Sequence, residues 1–166
     1  MNEIELKKIY NLLKEVHFLY ELSIDEINYL INGLNKIIFN KGKTVIRQGD
    51  TGDSFFLVAE GKVSVWTKTS AGSKVLLKYL GEGSYFGEMS LLTGERRNAT
   101  VISEGKTVLY SLFKEKFKHI FTNNPAVVES ISHVVSSRND QLSREGDNVI
   151  KKESLLKKMA NYFNIE

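Results

Sequence analysis

Residues 86–101 read FGEMSLLTGERRNATV, and this stretch sets the expectations for both fold and function. It places the carboxylate of Glu88 and the guanidinium of Arg97 nine residues apart, around a short helical turn that starts from Gly87. The backbone N–H groups at a helix start favour an anion, and a glycine lets the backbone approach a ligand closely. Arg97 can form a two-pronged pair with a phosphate, and Glu88 can accept hydrogen bonds from sugar hydroxyls. The residues therefore indicate a ligand with one phosphate and a free ribose hydroxyl.

The same stretch resembles the phosphate-binding cassette of cyclic nucleotide-binding domains. The family writes this cassette as Phe-Gly-Glu, two or three apolar residues, a short loop and Arg-x-Ala-Thr. The matching residues are Phe86, Gly87, Glu88, Leu91, Leu92, Arg97, Ala99 and Thr100. Residues 45–50, 52–58 and 61–63 also resemble the barrel core of the family, and the likeness runs from roughly residue 16 to residue 140. The family includes sensor domains of protein kinase A regulatory subunits, of the catabolite activator protein and of bacterial cyclic nucleotide-gated channels.

Length and composition are those of a single globular domain with extra helices. Of the 166 residues, 42% are apolar and 26% are charged, which is ordinary for such a domain. The chain has no cysteine, so no disulfide framework holds it, and a reducing, cytoplasmic location is expected. The longest apolar run has five residues, whereas a membrane-spanning helix needs about twenty. A net charge of +3 is a weak argument for nucleic-acid binding.

The apolar spacing predicts helices at both ends of the chain and short strands between them. Residues 4–16 carry a helical stripe, and Ser23 with Glu26 three residues later predicts a capped second helix. The strand candidates are residues 37–39, 44–46, 54–59, 62–67, 74–80, 99–103 and 107–113, with glycine-bearing turns between them. Helical spacing returns after Phe113, with a break at residues 123–125. This order predicts a mainly β fold, a jelly-roll barrel with flanking α-helices.

Four segments follow from this pattern. We expect N-terminal helices over residues 1–35 and a β-barrel over 36–113, with the cassette at 86–100. Helices are expected over 114–143, for which the resemblance implies the roles of hinge and lid, followed by an amphipathic tail helix over 147–166. The tail either packs on its own domain, docks to another chain or contacts a membrane surface.

The resemblance implies that the pocket binds a cyclic purine nucleotide without catalysis. Arg97 would pair with the phosphate and Glu88 with the ribose 2′-hydroxyl, while backbone amides near Ser90 and Asn98–Ala99 would complete the anion cradle. The implied ligand-binding residues are Phe86, Gly87, Glu88, Met89, Ser90, Arg97, Asn98, Ala99, Val63, Leu77 and Arg138. A solvent-exposed ion pair with Glu88 or Glu95 is the ordinary alternative for Arg97.

The preferred base and the lid are further expectations from the resemblance. Asn98 stands where members that prefer cyclic GMP often carry threonine, so cyclic AMP is the expected ligand, although the Asn98 carbonyl could still accept from a guanine amine. Cyclic GMP and cyclic di-GMP remain alternatives. Val63, Val65, Leu77 and Phe86 are candidates for the apolar wall against the base. Arg138 and Leu142 fall where the family's final helix covers the base.

Three other functions agree less well with the sequence than a sensor does. A metal-dependent barrel enzyme would need inward histidines, but His17, His119 and His133 all lie outside residues 18–118, so neither catalysis nor a metal is expected. A DNA-binding regulator would need a recognition helix after Leu142, where about twenty-five residues are too few for such a module. A degenerate member that only binds proteins would not need both Glu88 and Arg97.

The expected partner is an effector protein or a channel domain, whether separate or in the same longer chain. Residues 155–165 are similar to the C-terminal end of bacterial cyclic nucleotide-gated channels, which suggests a regulatory domain at the inner face of a membrane. The C-terminal helices could also support a homo-oligomer.

Overall fold

Two helices and a 3₁₀ turn come before the first strand in the computed structural model, which describes residues 1–143. Helix α1 spans Glu3–Glu15, the turn spans His17–Leu19, and helix α2 spans Ile24–Ile31. The side chain of Asn2 caps α1 by accepting a 2.8 Å hydrogen bond from the N–H of Glu5. Helix α1 begins one residue before the predicted segment 4–16. The tail helix predicted for residues 147–166 lies outside the described residues.

The predicted cap of α2 is confirmed. The N–H of Glu26 donates to the Ser23 hydroxyl over 3.3 Å, and the Ser23 N–H donates to the Glu26 carboxylate over 2.9 Å. The second carboxylate oxygen of Glu26 accepts from the side-chain amide of Asn124, far along the chain. Ile24 is 65% exposed, because it is the first residue of the helix and extends past the edge of the core.

Within residues 1–143, eight strands form two antiparallel sheets of four. They are β1 Asn35–Phe39, β2 Thr44–Ile46, β3 Ser54–Glu60, β4 Val63–Lys68, β5 Lys74–Leu80, β6 Tyr85–Phe86, β7 Thr100–Ser103 and β8 Thr107–Phe113. The first sheet has the order β1-β8-β3-β6 and the second the order β2-β7-β4-β5. Seven of the eight match the predicted strands to within two residues, and β6 was not predicted because only two residues pair.

The central strands of the first sheet are buried on both faces. In β3, Phe55, Leu57 and Ala59 pack against the helices, whereas Phe56 and Val58 face the second sheet. Two-sided burial explains why β3 reads as a continuous apolar run rather than an alternating one. One hydrophobic cluster thus lies between the two sheets, and a second lies between the first sheet and the helices.

Three helices complete the described chain. Helix α3 spans Glu88–Thr93 and interrupts the strands between β6 and β7, while α4, Lys114–Asn123, and α5, Pro125–Ser143, follow the last strand. The predicted break falls at Asn124, whose backbone leaves the helical region before Pro125. Two four-stranded antiparallel sheets with helices at both ends make the fold a jelly-roll barrel with flanking helices.

Charged side chains attach α1 to the barrel. The carboxylate of Glu5 accepts 2.8 Å hydrogen bonds from Lys36 on β1 and from the hydroxyl of Tyr110 on β8. The bond from Lys36 is the main reason that the pKa of Glu5 is lowered, and burial is the main reason that the pKa of Tyr110 is raised to about 12. Lys8 adds ion pairs with Glu60 at 3.3 Å and Glu82 at 3.6 Å.

Glu26 gives the fold an acid-sensitive link between α2 and the end of α4. The backbone hydrogen bond from Ser23, followed by the bond from Asn124, holds the pKa of Glu26 below its ordinary value of 4.5. Because the folded-state pKa is depressed, the stabilisation is complete above 4.5 and is lost as the pH falls through the folded-state pKa. Glu26→Gln should lower the free energy of unfolding by about 1 kcal/mol near neutral pH.

Urea unfolding at neutral and acidic pH measures this effect. The difference between wild type and Glu26→Gln should shrink as the pH falls below 4.5. Asp25→Asn is the matched control, since Asp25 is an exposed acid in the same first helical turn. If the two variants lost the same free energy of unfolding, the negative charge at the helix start would explain the loss. The hydrogen bonds of Glu26 with Ser23 and Asn124 would then make no separate contribution.

Candidate functional site

A cavity of about 230 Å³ lies against residues 86–101. Its wall is formed by Ile46, Val65, Leu77, Lys78, Leu80, Phe86, Gly87, Glu88, Met89, Ser90, Arg97, Asn98, Ala99 and Val101. Polar and charged side chains come mainly from the segment between β6 and β7, and apolar ones come from the two sheets. The cavity therefore has one polar wall and one apolar wall.

Arg97 is the main cation of the polar wall, and it is held from several directions. Its side chain is only 5% exposed. One terminal nitrogen donates to the Gly87 carbonyl at 2.8 Å and to the Ser90 hydroxyl at 3.2 Å, and the other donates to the Ser54 carbonyl at 2.9 Å. This burial rules out the solvent-exposed ion pair that was the ordinary alternative. A guanidinium keeps its charge even when buried, so these contacts fix a permanent cation in the wall.

Glu88 supplies a carboxyl group in the same cavity. It is the first residue of α3 and has no solvent exposure, although burying a carboxylate costs free energy. The glycine before it has a backbone φ of 85°, a left-handed conformation that few side chains tolerate. A Cβ on Gly87 would also lie 2.9 Å from the Ser54 carbonyl oxygen and 2.8 Å from an Arg97 nitrogen. A glycine is therefore required at position 87 both because a Cβ has no room there and because the backbone has a positive φ.

The loop between β2 and β3 braces Arg97 from the other side. The N–H of Gly49 donates to the Arg97 carbonyl at 2.8 Å, and the N–H of Arg97 donates to the Asp50 carbonyl at 2.7 Å. A Cβ on Gly52 would lie 2.4 Å from Nε of Arg97 and 2.7 Å from the Ser90 hydroxyl. The sequence placed these glycines in a turn within the stretch that resembles the barrel core, and assigned none of them to the site. The role of Gly52 depends on its contact with Arg97, 45 residues further along the chain.

Nine of the predicted site residues line the cavity together: Phe86, Gly87, Glu88, Met89, Ser90, Arg97, Asn98, Ala99 and Leu77. Val63 does not. It was expected in the wall, but it is fully buried in the cluster between the sheets. Val63 and Val65 share the inward side of β4, and only Val65 reaches the cavity. Arg138 and Leu142 belong to α5, but their side chains lie outside what the structure describes.

Sequence reasoning missed several wall residues. Ile46, Leu80 and Val101 were assigned to strands without a role, and Lys78 was not singled out. Alternation along a strand tells which side chains face inward, but not which of them border a cavity. For these residues the sequence carried no further signal.

Residues 1–143 contain neither a candidate metal site nor a helix that could span a membrane. No group of three or more His, Asp or Glu side chains in this part stands where it could hold a metal ion. Nor does any described helix combine the length and the apolar character that crossing a membrane requires.

Comparisons with known proteins agree on one family. A family model described as "Cyclic nucleotide-binding domain" matches residues 36–124, which is more than half of the chain. The chain is 31% identical over 117 residues to the Cyclic AMP receptor protein of Thermus thermophilus, covering 70% of this chain and 54% of that protein. It is 36% identical over 99 residues to human cGMP-dependent protein kinase 2, covering 59% of this chain and 13% of the kinase. The chain thus spans about half, or less, of the length of these relatives.

A solved structure supports the same assignment. The regulatory domain of Toxoplasma gondii PKA, co-crystallised with cAMP, superposes with a TM-score of 0.69 at 26% sequence identity. The match covers 82% of this chain and 50% of that one. The arrangement of sheets and helices is therefore shared with a protein whose structure contains the nucleotide.

The close approach at Gly52 gives a test of the Arg97 geometry. Gly52→Ala should displace the Arg97 guanidinium and lower the free energy of unfolding by about 1–3 kcal/mol, because the added methyl group overpacks the wall. Thermal or urea unfolding measures the loss. Gly81→Ala is the matched control, since a Cβ at Gly81 meets no atom within 4 Å. If the two variants were equally stable, the Gly52–Arg97 contact would not constrain the fold.

Proposed function

The chain belongs to the cyclic nucleotide-binding domain family, and we propose that it binds a cyclic nucleotide, cyclic AMP first, as a non-catalytic sensor. The observation that carries this proposal is the pairing, in one cavity, of a buried guanidinium with a buried carboxylate. Arg97 suits a singly charged phosphate, and Glu88 suits a hydroxyl donor beside it. A ribose 3′,5′-cyclic phosphate presents both groups close together.

Each wall then has a role in binding. Arg97 pairs with the phosphate, and the Gly87 and Ser54 carbonyls fix its orientation before the ligand arrives. Glu88 accepts the 2′-hydroxyl of the ribose, and backbone amides near Ser90 and Asn98–Ala99 complete the anion cradle. The base rests on the apolar wall that includes Val65, Leu77 and Phe86. We infer cyclic AMP because Asn98 lacks the hydroxyl that family members preferring cyclic GMP often place there.

Ligand binding would be passed to the C-terminal helices through an aromatic cluster beside the cassette. Tyr85 immediately precedes Phe86, and its ring centroid lies 5.5 Å from that of Phe18 in the 3₁₀ turn. Phe18 in turn contacts Phe117 on α4, with ring centroids 6.3 Å apart. A ligand can shift the balance between two helix arrangements only by the difference in its affinity for them. Arg138 on α5 is proposed to cover the base in the favoured arrangement.

In this proposal the barrel and its cassette bind the nucleotide, and the helices after the barrel act as hinge and lid. The N-terminal helices form a separate segment before the barrel. The effector would be a partner protein or a channel domain. The protein would lie in the cytoplasm, and in the case of a channel it would lie at the inner face of a bacterial membrane. A homo-oligomer through the C-terminal helices is part of the same proposal.

Arg97→Ala should abolish or strongly weaken binding. Loss of a charged hydrogen bond to the phosphate costs about 1.5–3 kcal/mol, or roughly tenfold to a hundredfold in affinity. Isothermal titration calorimetry with cyclic AMP, cyclic GMP and cyclic di-GMP measures the effect. Arg96→Ala is the matched control, because Arg96 is the exposed neighbour and its guanidinium donates to the Gly49 carbonyl at 2.9 Å. Absence of binding by folded wild-type protein would overturn the proposal.

Glu88 has a test of its own that uses a ligand lacking one hydroxyl. Glu88→Gln should weaken the binding of cyclic AMP by about 1 kcal/mol, because a hydrogen bond to a charged acceptor is roughly twice as strong as one to a neutral acceptor. The same substitution should change the affinity for 2′-deoxy cyclic AMP very little. Equal losses for the two nucleotides would mean that Glu88 supports the fold of the cassette and does not bind the ribose.

A further inference from the structure

Phe56 is a buried aromatic residue that lies behind the cavity wall and has no role in the binding described above. It is 7% exposed and belongs to the hydrophobic cluster between the two sheets. Its ring stacks on that of Phe86, which does line the cavity, with 5.1 Å between the centroids and 12° between the planes. Arg97 lies over the same ring, with its Cζ atom 5.9 Å from the centroid. Phe56 therefore supports one residue of the polar wall and one of the apolar wall.

Hydrogen bonds alone do not surround the Arg97 guanidinium. Its N–H donors radiate within one plane, so hydrogen-bond acceptors meet its edges. Those acceptors are the carbonyls of Ser54 and Gly87 and the hydroxyl of Ser90. An aromatic ring holds a cation differently, because the negative charge of its π face attracts a cation within about 6 Å of the centroid. The Phe56 ring stands at this distance from Arg97.

Strand pairing explains why the Phe56 ring reaches the cassette. Phe56 on β3 lies opposite Phe86 on β6, and Gly87 is the next residue. A Cβ on Gly87 would lie 3.4 Å from Cδ2 of Phe56, so the ring packs against the backbone at the start of α3. Ser54, whose carbonyl accepts from Arg97, lies two residues before Phe56 on β3. One strand thus provides both a hydrogen-bond acceptor and an aromatic ring for the same cation.

Burial strengthens the contact between Arg97 and Phe56. The two residues are 5% and 7% exposed. A cation in such surroundings has lost most of its hydration, which costs free energy. The attraction between a cation and an aromatic face is largest where both are removed from water. The ring therefore offsets part of the cost, whereas an aliphatic side chain would fill the space without attracting the charge.

On the basis of the proposed function, we propose that Phe56 is a positioning residue that holds the Arg97 guanidinium in the orientation that binds the phosphate. Phe56 acts through Arg97 and does not line the cavity itself. The affinity for a ligand falls in proportion to the fraction of the protein in the binding-competent arrangement. A ring that attracts the cation less lowers this fraction, because other orientations of the guanidinium then have a similar free energy.

Replacement of Phe56 by phenylalanines with one, two and three ring fluorines tests the inference. Fluorine withdraws electron density from the π face and weakens its attraction for a cation, while the shape of the ring changes little. In isothermal titration calorimetry, the affinity for cyclic AMP should fall stepwise along the series, by roughly threefold to tenfold in total.

The same fluorinated series at Phe55 is the matched control. Phe55 is the buried neighbour of Phe56 on β3, and its ring packs with Phe18 and Phe117 on the helix side of the first sheet. The affinity for cyclic AMP should change by less than about twofold along this series, because this ring does not hold the guanidinium.

Unfolding free energies separate the attraction to Arg97 from the stacking on Phe86. Fluorination of Phe56 also alters this stacking, but it does so equally in the wild-type and the Arg97→Ala backgrounds. The loss of unfolding free energy along the Phe56 series should therefore be larger in the wild-type background than in Arg97→Ala. Urea unfolding measures this difference without any ligand.

Three outcomes would overturn the inference: an unchanged affinity along the Phe56 series, an equal fall along the Phe55 series, or the same unfolding trend with and without Arg97. In each of these cases the wild-type protein still binds cyclic AMP, so the proposed function survives. Folded wild-type protein that binds no cyclic nucleotide would overturn both.

Discussion

Burial of the Arg97 guanidinium is the constraint on which the rest of the site depends. A group that keeps its charge at 5% exposure must be surrounded by fixed acceptors. Those acceptors are backbone carbonyls of Ser54 and Gly87 and the hydroxyl of Ser90, so β3 and the start of α3 must sit at set positions. The loop before β3 is fixed as well, because its backbone is hydrogen-bonded to that of Arg97. Two glycines are needed because any Cβ at Gly52 or Gly87 would intrude on this arrangement. One cation thus organises three separate pieces of chain.

Much of this architecture could be predicted from local sequence. Short apolar runs between glycine-bearing turns predicted seven strands, and the Ser23–Glu26 pair predicted the start of α2. Both predictions succeed because these features depend on residues that are close in sequence. The cassette, residues 86–100, likewise predicted from nearby residues that Glu88 and Arg97 share one site. Val63 was expected in the cavity wall but does not line the cavity, whereas Lys78 lines it and was not singled out. The surroundings of both residues depend on strand register and on a bulge that spacing in the sequence does not reveal. The part played by Gly52 depends on a contact across 45 residues of chain.

The first sheet connects the two hydrophobic clusters. Phe55, Leu57 and Ala59 pack with the helices, and Phe56 and Val58 pack between the sheets, on alternate residues of one strand. The Phe56 ring stacks on Phe86 at 5.1 Å between centroids, next to the cassette, while Phe55 contacts Phe117 on α4 at 5.4 Å. Close-packed interiors transmit displacement from one side to the other. The strand therefore joins the ligand cavity to the C-terminal helices by the same contacts that stabilise the core.

Two-sided burial of β3 also decides where this protein can vary. Each residue of β3 from Ser54 to Ala59 is buried, so an altered side chain there disturbs either the pocket or the helices. Strand β5 lies at a sheet edge with its outer face in solvent, and Leu77, Lys78 and Leu80 line the cavity from it. The acceptors that hold the Arg97 guanidinium belong to Ser54, Gly87 and Ser90, which lie on other parts of the chain. Mutational libraries that aim to reshape the cavity can therefore be directed at β5, because substitutions on this strand leave those contacts in place.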